Sequence, residues 1–357
     1  MSKSVLFLVP YPAKTAPSQR FRVELYEPIL REHGIKYDIA CFMDAQTWKI
    51  IFSKGHHLQK IAGILKGYVR RFVHLTKAVR YDYIFIHREA APLGPPVFEW
   101  MLAKILRKKI IYDFDDAIWI PNVSASNKVA SWLKAFWKVK YICRWSSVVT
   151  GGNEYLNSYA KQHGARKTIF LPTCVDVVHG HRFIKQHGDH KPVVGWTGSH
   201  STLFYLNDIM PVLRDLQEVL DFTFLVIADK SPNLDLKDWK FVRWNEATEV
   251  EDLLHMDIGI MPLRADAWSE GKCGFKLIQY LSCGIPAIAD PIGVNKDIVE
   301  DGRNGFLCQT CEEWEKKLRF LLTNWEQRKE FGANGRKKIV NAYSIQSQEE
   351  KFLSLFR

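Results

Sequence analysis

The sequence predicts an α/β chain built from two Rossmann-like, doubly wound domains, and three observations carry that expectation. From Ser4 to Cys41 an apolar run, a polar loop, a helical stripe and a second apolar run follow one another, which is the β-loop-α-β opening of such a domain. The alternation restarts at Val193, after a polar, His-rich stretch. From Asp257 to Asn295 the chain (DIGIMPLRADAWSEGKCGFKLIQYLSCGIPAIADPIGVN) reads as strand, loop, helix, tight turn, strand and loop. In a parallel sheet that order puts two loops and a helix N-terminus at the carboxyl edge, where ligands bind.

Composition sets the bounds. A length of 357 residues suits two domains, and 47% hydrophobic with 25% charged residues is the balance of a soluble globular protein. No apolar run is long enough to span a membrane, and Ser4–Pro10 is too short for a signal peptide's core, so the expected place is the cytoplasm. Seven cysteines without C-x-x-C or Cys/His spacing fit reduced thiols and no structural zinc. The net charge of +11 asks for an anionic partner: nucleotide phosphates, nucleic acid or an anionic membrane surface.

Taken in order, Ser4–Pro10 is a strand, and a helix from about Arg20 carries Phe21, Leu25, Ile29 and Leu30 on one face until Gly34 ends it. Tyr37–Cys41 is the next strand. Arg20 and Arg22 sit at the start of the helix, where they suit either a site or surface ion pairs. Residues 48–80 contain no acid but eight cations, interleaved with Trp48, Phe52, Tyr68 and Phe72. Residues 128–145 have the same character. Both segments fit an anionic lipid surface, at about 1 kcal/mol per cation. Helices that pack apolar faces on a sheet and turn lysines outward explain the periodicity equally well.

Tyr83–His87 and Lys109–Tyr112 read as buried strands, the first ending in His87-Arg88-Glu89 and the second in Asp113-Phe114-Asp115-Asp116. Three carboxylates in four residues resist joint burial as anions. They are expected to line a cleft, hold a cation or accept loop N–H groups. Ser147–Thr150 and Thr168–Pro172 complete the first domain, 1–176. Residues 177–191 read as a linker, 192–340 as the second domain, and 341–357 as a C-terminal helix returning to the first. Val193–Trp196 leads into Thr197-Gly198-Ser199-His200-Ser201-Thr202, a glycine-containing approach to a helix.

The loop Ser269–Gly274 carries Lys272 and Cys273, with Phe275 and Lys276 opening the helix that follows. Free N–H groups, the helix dipole and two lysines make this place favourable to phosphate. A solvated loop with its lysines in water has the same spacing. Cys283-Gly284-Ile285-Pro286 stops the helix, since glycine takes the left-handed cap and proline cannot continue.

GKCGFKLIQYLSCGIPAIADPIGVN resembles the nucleotide-sugar segment of GT-B fold retaining glycosyltransferases, the large family that includes many cell-envelope sugar transferases. PSQRFR, YDFDDAIW and EDGRNGFL resemble further segments of that family, so the likeness runs through most of the chain. It implies two Rossmann-like domains facing a central cleft. A nucleoside diphosphate sugar, UDP- or GDP-linked, would be held by the second, and a glycan or lipid-linked acceptor by the first. By the same likeness the donor would meet Gly198, Ser199, His200, Lys272, Cys273, Gly274, Phe275, Gln279 and Asn295. The acceptor side would hold Arg20, Arg22, His87 and Asp113, and Asp115, Asp116 and Lys276 would take part in the chemistry without a metal or other cofactor. The chain departs from the family's E-x7-E pattern: Gln279 stands at the helix glutamate and Gly271 at its partner, with Glu270 one residue off. A variant with K-L-x-[EQ]-Y in the helix fits better, Lys276 supplying its lysine.

Three other functions compete with glycosyl transfer. A nicotinamide-dependent enzyme needs G-x-G-x-x-G after the first strand, and VPYPAKTAPSQR has no glycine. A nucleic-acid binder would fit the charge, but no nucleic-acid motif is present. A catalytically degenerate GT-B relative is the third rival, because both motif glutamates are missing.

Overall fold

The computed structural model describes residues 3–51, 53–121 and 133–357. The chain divides into two compact units, Met1–Thr173 with Glu349–Arg357, and Cys174–Gln348.

The first unit is built on six parallel strands: β1 (Ser4–Val9), β2 (Lys36–Cys41), β3 (Tyr83–His87), β4 (Lys109–Phe114), β5 (Val148–Gly151) and β6 (Thr168–Phe170). They lie in the order β2-β1-β3-β4-β5-β6, with Val5 opposite Tyr37 on one side and Tyr83 on the other. The strands are almost continuously apolar because helices cover both faces of a parallel sheet. Strand order reverses at β1, so the carboxyl ends of β1 and β3 form this unit's switch point. The single helix expected from Arg20 to Gly34 is broken into Pro17–Arg22, a 3-10 turn at Glu24–Tyr26 and Glu27–Glu32. Pro28 has no N–H to give and opens the last piece. Glu349–Arg357 belongs to this unit: Phe352 stacks on Tyr26 at 4.0 Å, and Phe356 meets the ring of Tyr83 edge-on at 5.8 Å.

The helix His57–Ala78 packs through its small residues. A methyl at Gly63 would stand 2.3 Å from Thr47, and one at Gly67 would stand 2.5 Å from the Phe42 ring. Arg71, buried on the same face, donates to the carbonyls of Val9, Ala40 and Ala90, each at 2.6 Å. It thereby ties the ends of three chain segments together, and burial lowers its pKa to about 9. The cations of 48–80 are therefore not all outward: Arg71 is internal and Arg70 pairs with Asp44 at 3.1 Å. In 128–145, Lys138 is likewise buried against Glu89 at 2.7 Å. Phe52 and residues 128–132 of those segments lie outside the described residues.

The second unit also has six parallel strands: β7 (Val193–Gly198), β8 (Thr223–Ala228), β9 (Trp239–Arg243), β10 (Ile258–Met261), β11 (Ala287–Ala289) and β12 (Gly305–Leu307). The order is β12-β11-β10-β7-β8-β9, which places its switch point between β7 and β10. Leu277, Ile278 and Leu281 cover one face and Leu213, Leu216 and Trp314 the other. The helix Phe275–Ser282 lies close on the sheet because Gly259 has no side chain; a methyl there would stand 2.3 Å from the Tyr280 ring.

Residues 177–191, read from sequence as a linker, are fastened to this unit. Lys185 and His190 reach buried Asp257 at 3.2 and 3.1 Å, and the Val193 amide donates to the same carboxylate at 2.9 Å. Burial alone would raise the Asp257 pKa, but His187, Lys185 and the Val193 amide hold it well below the usual carboxylate range.

Candidate donor and acceptor sites

At the carboxyl ends of β7 and β10 the second unit gathers most of the residues expected to hold a donor. Lys276, in the first turn of Phe275–Ser282, lies with its Nζ 5.2 Å over the Trp196 ring. A methyl on Gly198 would stand 2.9 Å from its Cε, so Gly198 leaves room for this lysine. Lys272 hangs over the rings of Tyr205 and Trp268 at 5.8 and 5.7 Å. Between them Gly274 caps the helix in the left-handed region (φ +65°), where a side chain would also meet Ile298. Two cations therefore flank a helix N-terminus whose first turn contains no acid. Ser199 stands beside them, its Oγ 2.7 Å from that of Ser201. Phe275 packs on the core and Cys273 is buried, so both shape the loop from within. His200 turns aside to Asp229 at the end of β8: its amide donates to that carboxylate at 2.6 Å and its ring pairs with it.

Gln279 does not face open space. It is buried, and its Nε2 donates at 3.1 Å to Glu249, which also accepts from the Trp244 indole at 3.1 Å. This gives the departure from two glutamates a physical reason. A glutamate at position 279 would put a second carboxylate against Glu249, whereas a glutamine amide donates to it. Nothing local in the sequence singles out Glu249, because its partner lies 30 positions away.

Asp290, at the end of β11, accepts from the Leu263 amide at 2.8 Å and from the Trp314 indole at 3.4 Å, joining two loops of the edge. Its pKa is pushed up to about 6, chiefly by burial. Asn295 donates to the Asp290 carbonyl at 3.0 Å, and its buried Oδ1 lies 3.7 Å from where a Gly274 Cβ would be. Asn295 thus braces the loop after β11, beside Gly274.

In the first unit, the switch point holds a polar cluster. Asp113, inside β4 and fully buried, pairs with Arg22, accepts from Thr150 at 2.7 Å and meets His87 Nδ1 at 2.8 Å. The other ring nitrogen of His87 lies 2.8 Å from Ser18 Oγ. Burial would raise the Asp113 pKa, but Arg22 and His87 hold it well below the usual range. Of the roles open to the three aspartates (lining a cleft, holding a cation or accepting loop N–H groups), Asp113 does not line a cleft: it is buried against the Arg22 guanidinium, His87 and Thr150. Arg22 and His87 are equally buried, so none of the three presents itself to an acceptor. They fix the loop after β1 instead. Arg20 lies with its guanidinium 4.9 Å from the Phe21 ring.

Asp115 and Asp116 remain at the edge, paired to Arg88 at 3.6 and 3.4 Å. Asp116 is the more exposed of the two. Burial opposes ionisation of Asp115, but Arg88, His87 and the Ser18 hydroxyl outweigh it and lower its pKa. An anion so stabilised is a weak base and a good hydrogen-bond acceptor. Arg88 itself has φ +61°, uncommon for a residue with a side chain, at the end of β3. Its role was legible only as one of three polar residues after a strand.

Residues 226–338 match the family described as glycosyl transferases group 1. Over 90 residues the chain is 32% identical to the poly(ribitol-phosphate) alpha-N-acetylglucosaminyltransferase of Staphylococcus aureus, a stretch covering 24% of this chain and 18% of that enzyme. In structure it resembles Anabaena HepE in complex with UDP-glucose (TM-score 0.66, 15% identity, covering 98% and 99% of the two chains). It also resembles the sucrose-phosphate synthase of Thermosynechococcus elongatus (TM-score 0.70, 14% identity, covering 100% and 98%). Residues 226–338 thus match the glycosyl transferases group 1 model, and the two six-stranded sheets give the chain the GT-B fold.

Proposed function

We propose that the chain is a glycosyltransferase that moves a sugar from a nucleoside diphosphate sugar, with UDP or GDP as the nucleotide, to a glycan or lipid-linked acceptor. The observation that carries this reading is the pair Lys272 and Lys276 flanking the N-terminus of Phe275–Ser282 at the β7/β10 switch point. Breaking a glycosyl–phosphate bond sends an anionic diphosphate away while positive charge grows on the sugar. Helix amides and two lysines stabilise that leaving group electrostatically, without calling on a metal. Losing one such group costs about 10²–10³ in rate. The Asp115–Arg88–Asp116 array in the first unit is the acceptor-side counterpart, with Asp116 the carboxylate best placed to accept from an acceptor hydroxyl.

Two relatives support the reading. HepE was captured with UDP-glucose, and the Staphylococcus aureus enzyme acts on poly(ribitol-phosphate). We extend the reading to a cytoplasmic role in cell-envelope polysaccharide or lipopolysaccharide synthesis with retention at the anomeric carbon, as the family likeness of the donor segment implies. A degenerate, non-transferring relative is the second reading, favoured by the absent motif glutamates and by the commitment of Gln279 to Glu249. Release of nucleoside diphosphate from a panel of UDP- and GDP-sugars separates the two. The proposal expects slow release from one donor, about 100-fold slower in Lys276→Ala. No release from any donor, with or without glycan acceptors, sides with the degenerate reading.

A further inference from the structure

The helix His57–Ala78 carries two apolar faces, and only one is used. Its inward face is Gly63, Gly67, Arg71, Leu75 and Ala78. At 100° per residue, Leu58, Ile61, Leu65, Val69 and Phe72 fall on nearly the opposite side, and Ile61, Leu65 and Val69 are 57, 59 and 66% exposed. A helix that only covered a sheet would place lysines there; this one places a five-residue apolar stripe. The stripe continues into a second element. Phe72 contacts Phe98 at 5.1 Å, and beyond it a groove of about 390 Å³ is lined by Pro95, Val97, Trp100, Trp137, Tyr141 and Trp145. Trp100 and Trp137 are about half exposed.

Charge identifies the occupant. Lys66 and Lys77 project from one flank of the helix, and Lys104, Lys134 and Lys140 are exposed around the groove. No acidic residue occurs between Asp44 and Asp82 or between Asp116 and Glu154. The acids that approach are paired: Asp44 with Arg70, Glu89 with Lys138, and Glu99 is buried accepting from the Ala90 amide. An apolar stripe with tryptophans at its end and a predominantly cationic border is the pattern of a helix lying in a membrane interface. A second copy of the chain seated on this face would bring its own lysines against these. No helix among the described residues is long and apolar enough to cross a membrane.

We infer that the outward face of His57–Ala78, together with the Trp100–Trp137 groove, is a docking surface for an anionic lipid bilayer. The first unit beds into the headgroup region through the stripe, and its lysines meet the lipid phosphates. This inference stands on the surface alone and holds whichever donor the second unit takes.

The test is co-sedimentation of the full chain with vesicles of phosphatidylcholine alone or containing 30–40%, roughly, phosphatidylglycerol. Wild type is expected to bind the anionic vesicles at least ~10-fold more tightly, with a blue shift in tryptophan emission and loss of binding at high salt. Ile61→Gln/Leu65→Gln/Val69→Gln changes only exposed side chains and should abolish the shift and lower binding ~10-fold or more, while leaving the thermal unfolding profile unchanged. Lys66→Gln/Lys77→Gln should reduce the preference for anionic lipid and keep the residual neutral binding. Equal binding of wild type and the triple variant overturns the inference. So does a concentration-dependent dimer of wild type that the triple variant loses, which would assign the stripe to a second copy.

Discussion

At the scale of single residues, the two sites differ in how they hold charge. In the second unit Lys272 and Lys276 lie over aromatic faces beside the start of a helix. In the first unit the Arg22–Asp113 pair is sealed away and serves the scaffold. Replacing Asp113 with Asn strands the buried guanidinium and should cost about 3–5 kcal/mol, read by urea unfolding with hydrogen exchange followed in β4. The folded pKa of Asp113 is depressed, so its contribution is present above the unfolded value and lost as pH falls. The gap between wild type and variant should therefore close below about pH 4. The Gln279–Glu249 bond gives a second residue-scale prediction. Gln279→Glu puts two buried carboxylates together and should destabilise the second unit by about 1–3 kcal/mol, whereas the Glu249→Gln/Gln279→Glu exchange restores most of it. An unchanged melting temperature in the single variant would show that the bond carries no weight.

At the scale of elements, the loops of the candidate donor edge are set by backbone approach and by one unusual acid. Gly198 and Gly259 leave the space that Lys276 and Tyr280 occupy. Gly259→Ala, with its methyl pressed on a buried ring, should cost about 1–3 kcal/mol in thermal unfolding. Asp290 behaves oppositely to Asp113. Its folded pKa is raised to about 6, so its contribution is complete below the unfolded value and is lost as pH rises towards 6 and beyond. Wild-type stability should decline between about pH 4 and 7, and Asp290→Asn should flatten that decline, with a gain on the order of 2 kcal/mol at pH 7. A parallel pair of profiles would exclude Asp290 as the source. Strands and the helix Phe275–Ser282 were legible in the sequence, because apolar runs and 3.6-residue spacing are local signals. The break at Pro28, the internal place of Arg71 and the fastening of 177–191 to Asp257 were not, since each depends on partners far along the chain. The helix His57–Ala78 was read correctly as basic and amphipathic, but periodicity alone does not say which face turns inward; Gly63 and Gly67 decide it.

At the scale of the whole chain, each unit carries a parallel sheet with chemistry-bearing residues at its own switch point. The second supplies cations at a helix start and the first an arginine-bridged pair of carboxylates. That division of labour suits a reaction whose donor is a phosphate ester and whose acceptor is a hydroxyl. The candidate donor residues Gly198, Lys272, Gly274 and Lys276 stand out in the sequence because they fall in two loops with a family likeness, and the structure brings those loops to one edge. The acceptor residues were less so, since His87 and Asp113 are polar for structural reasons that sequence does not distinguish from catalytic ones.

The central claim is that the edge formed by β7, β10 and the helix Phe275–Ser282 binds a nucleoside diphosphate. Isothermal calorimetry with UDP, GDP, ADP and CDP on wild type and Lys276→Ala tests it directly. One of UDP or GDP is expected to bind selectively, and the substitution to weaken it by about tenfold or more, since a phosphate loses a charged partner. Absence of binding by all four nucleotides, or binding that Lys276→Ala leaves untouched, would contradict it.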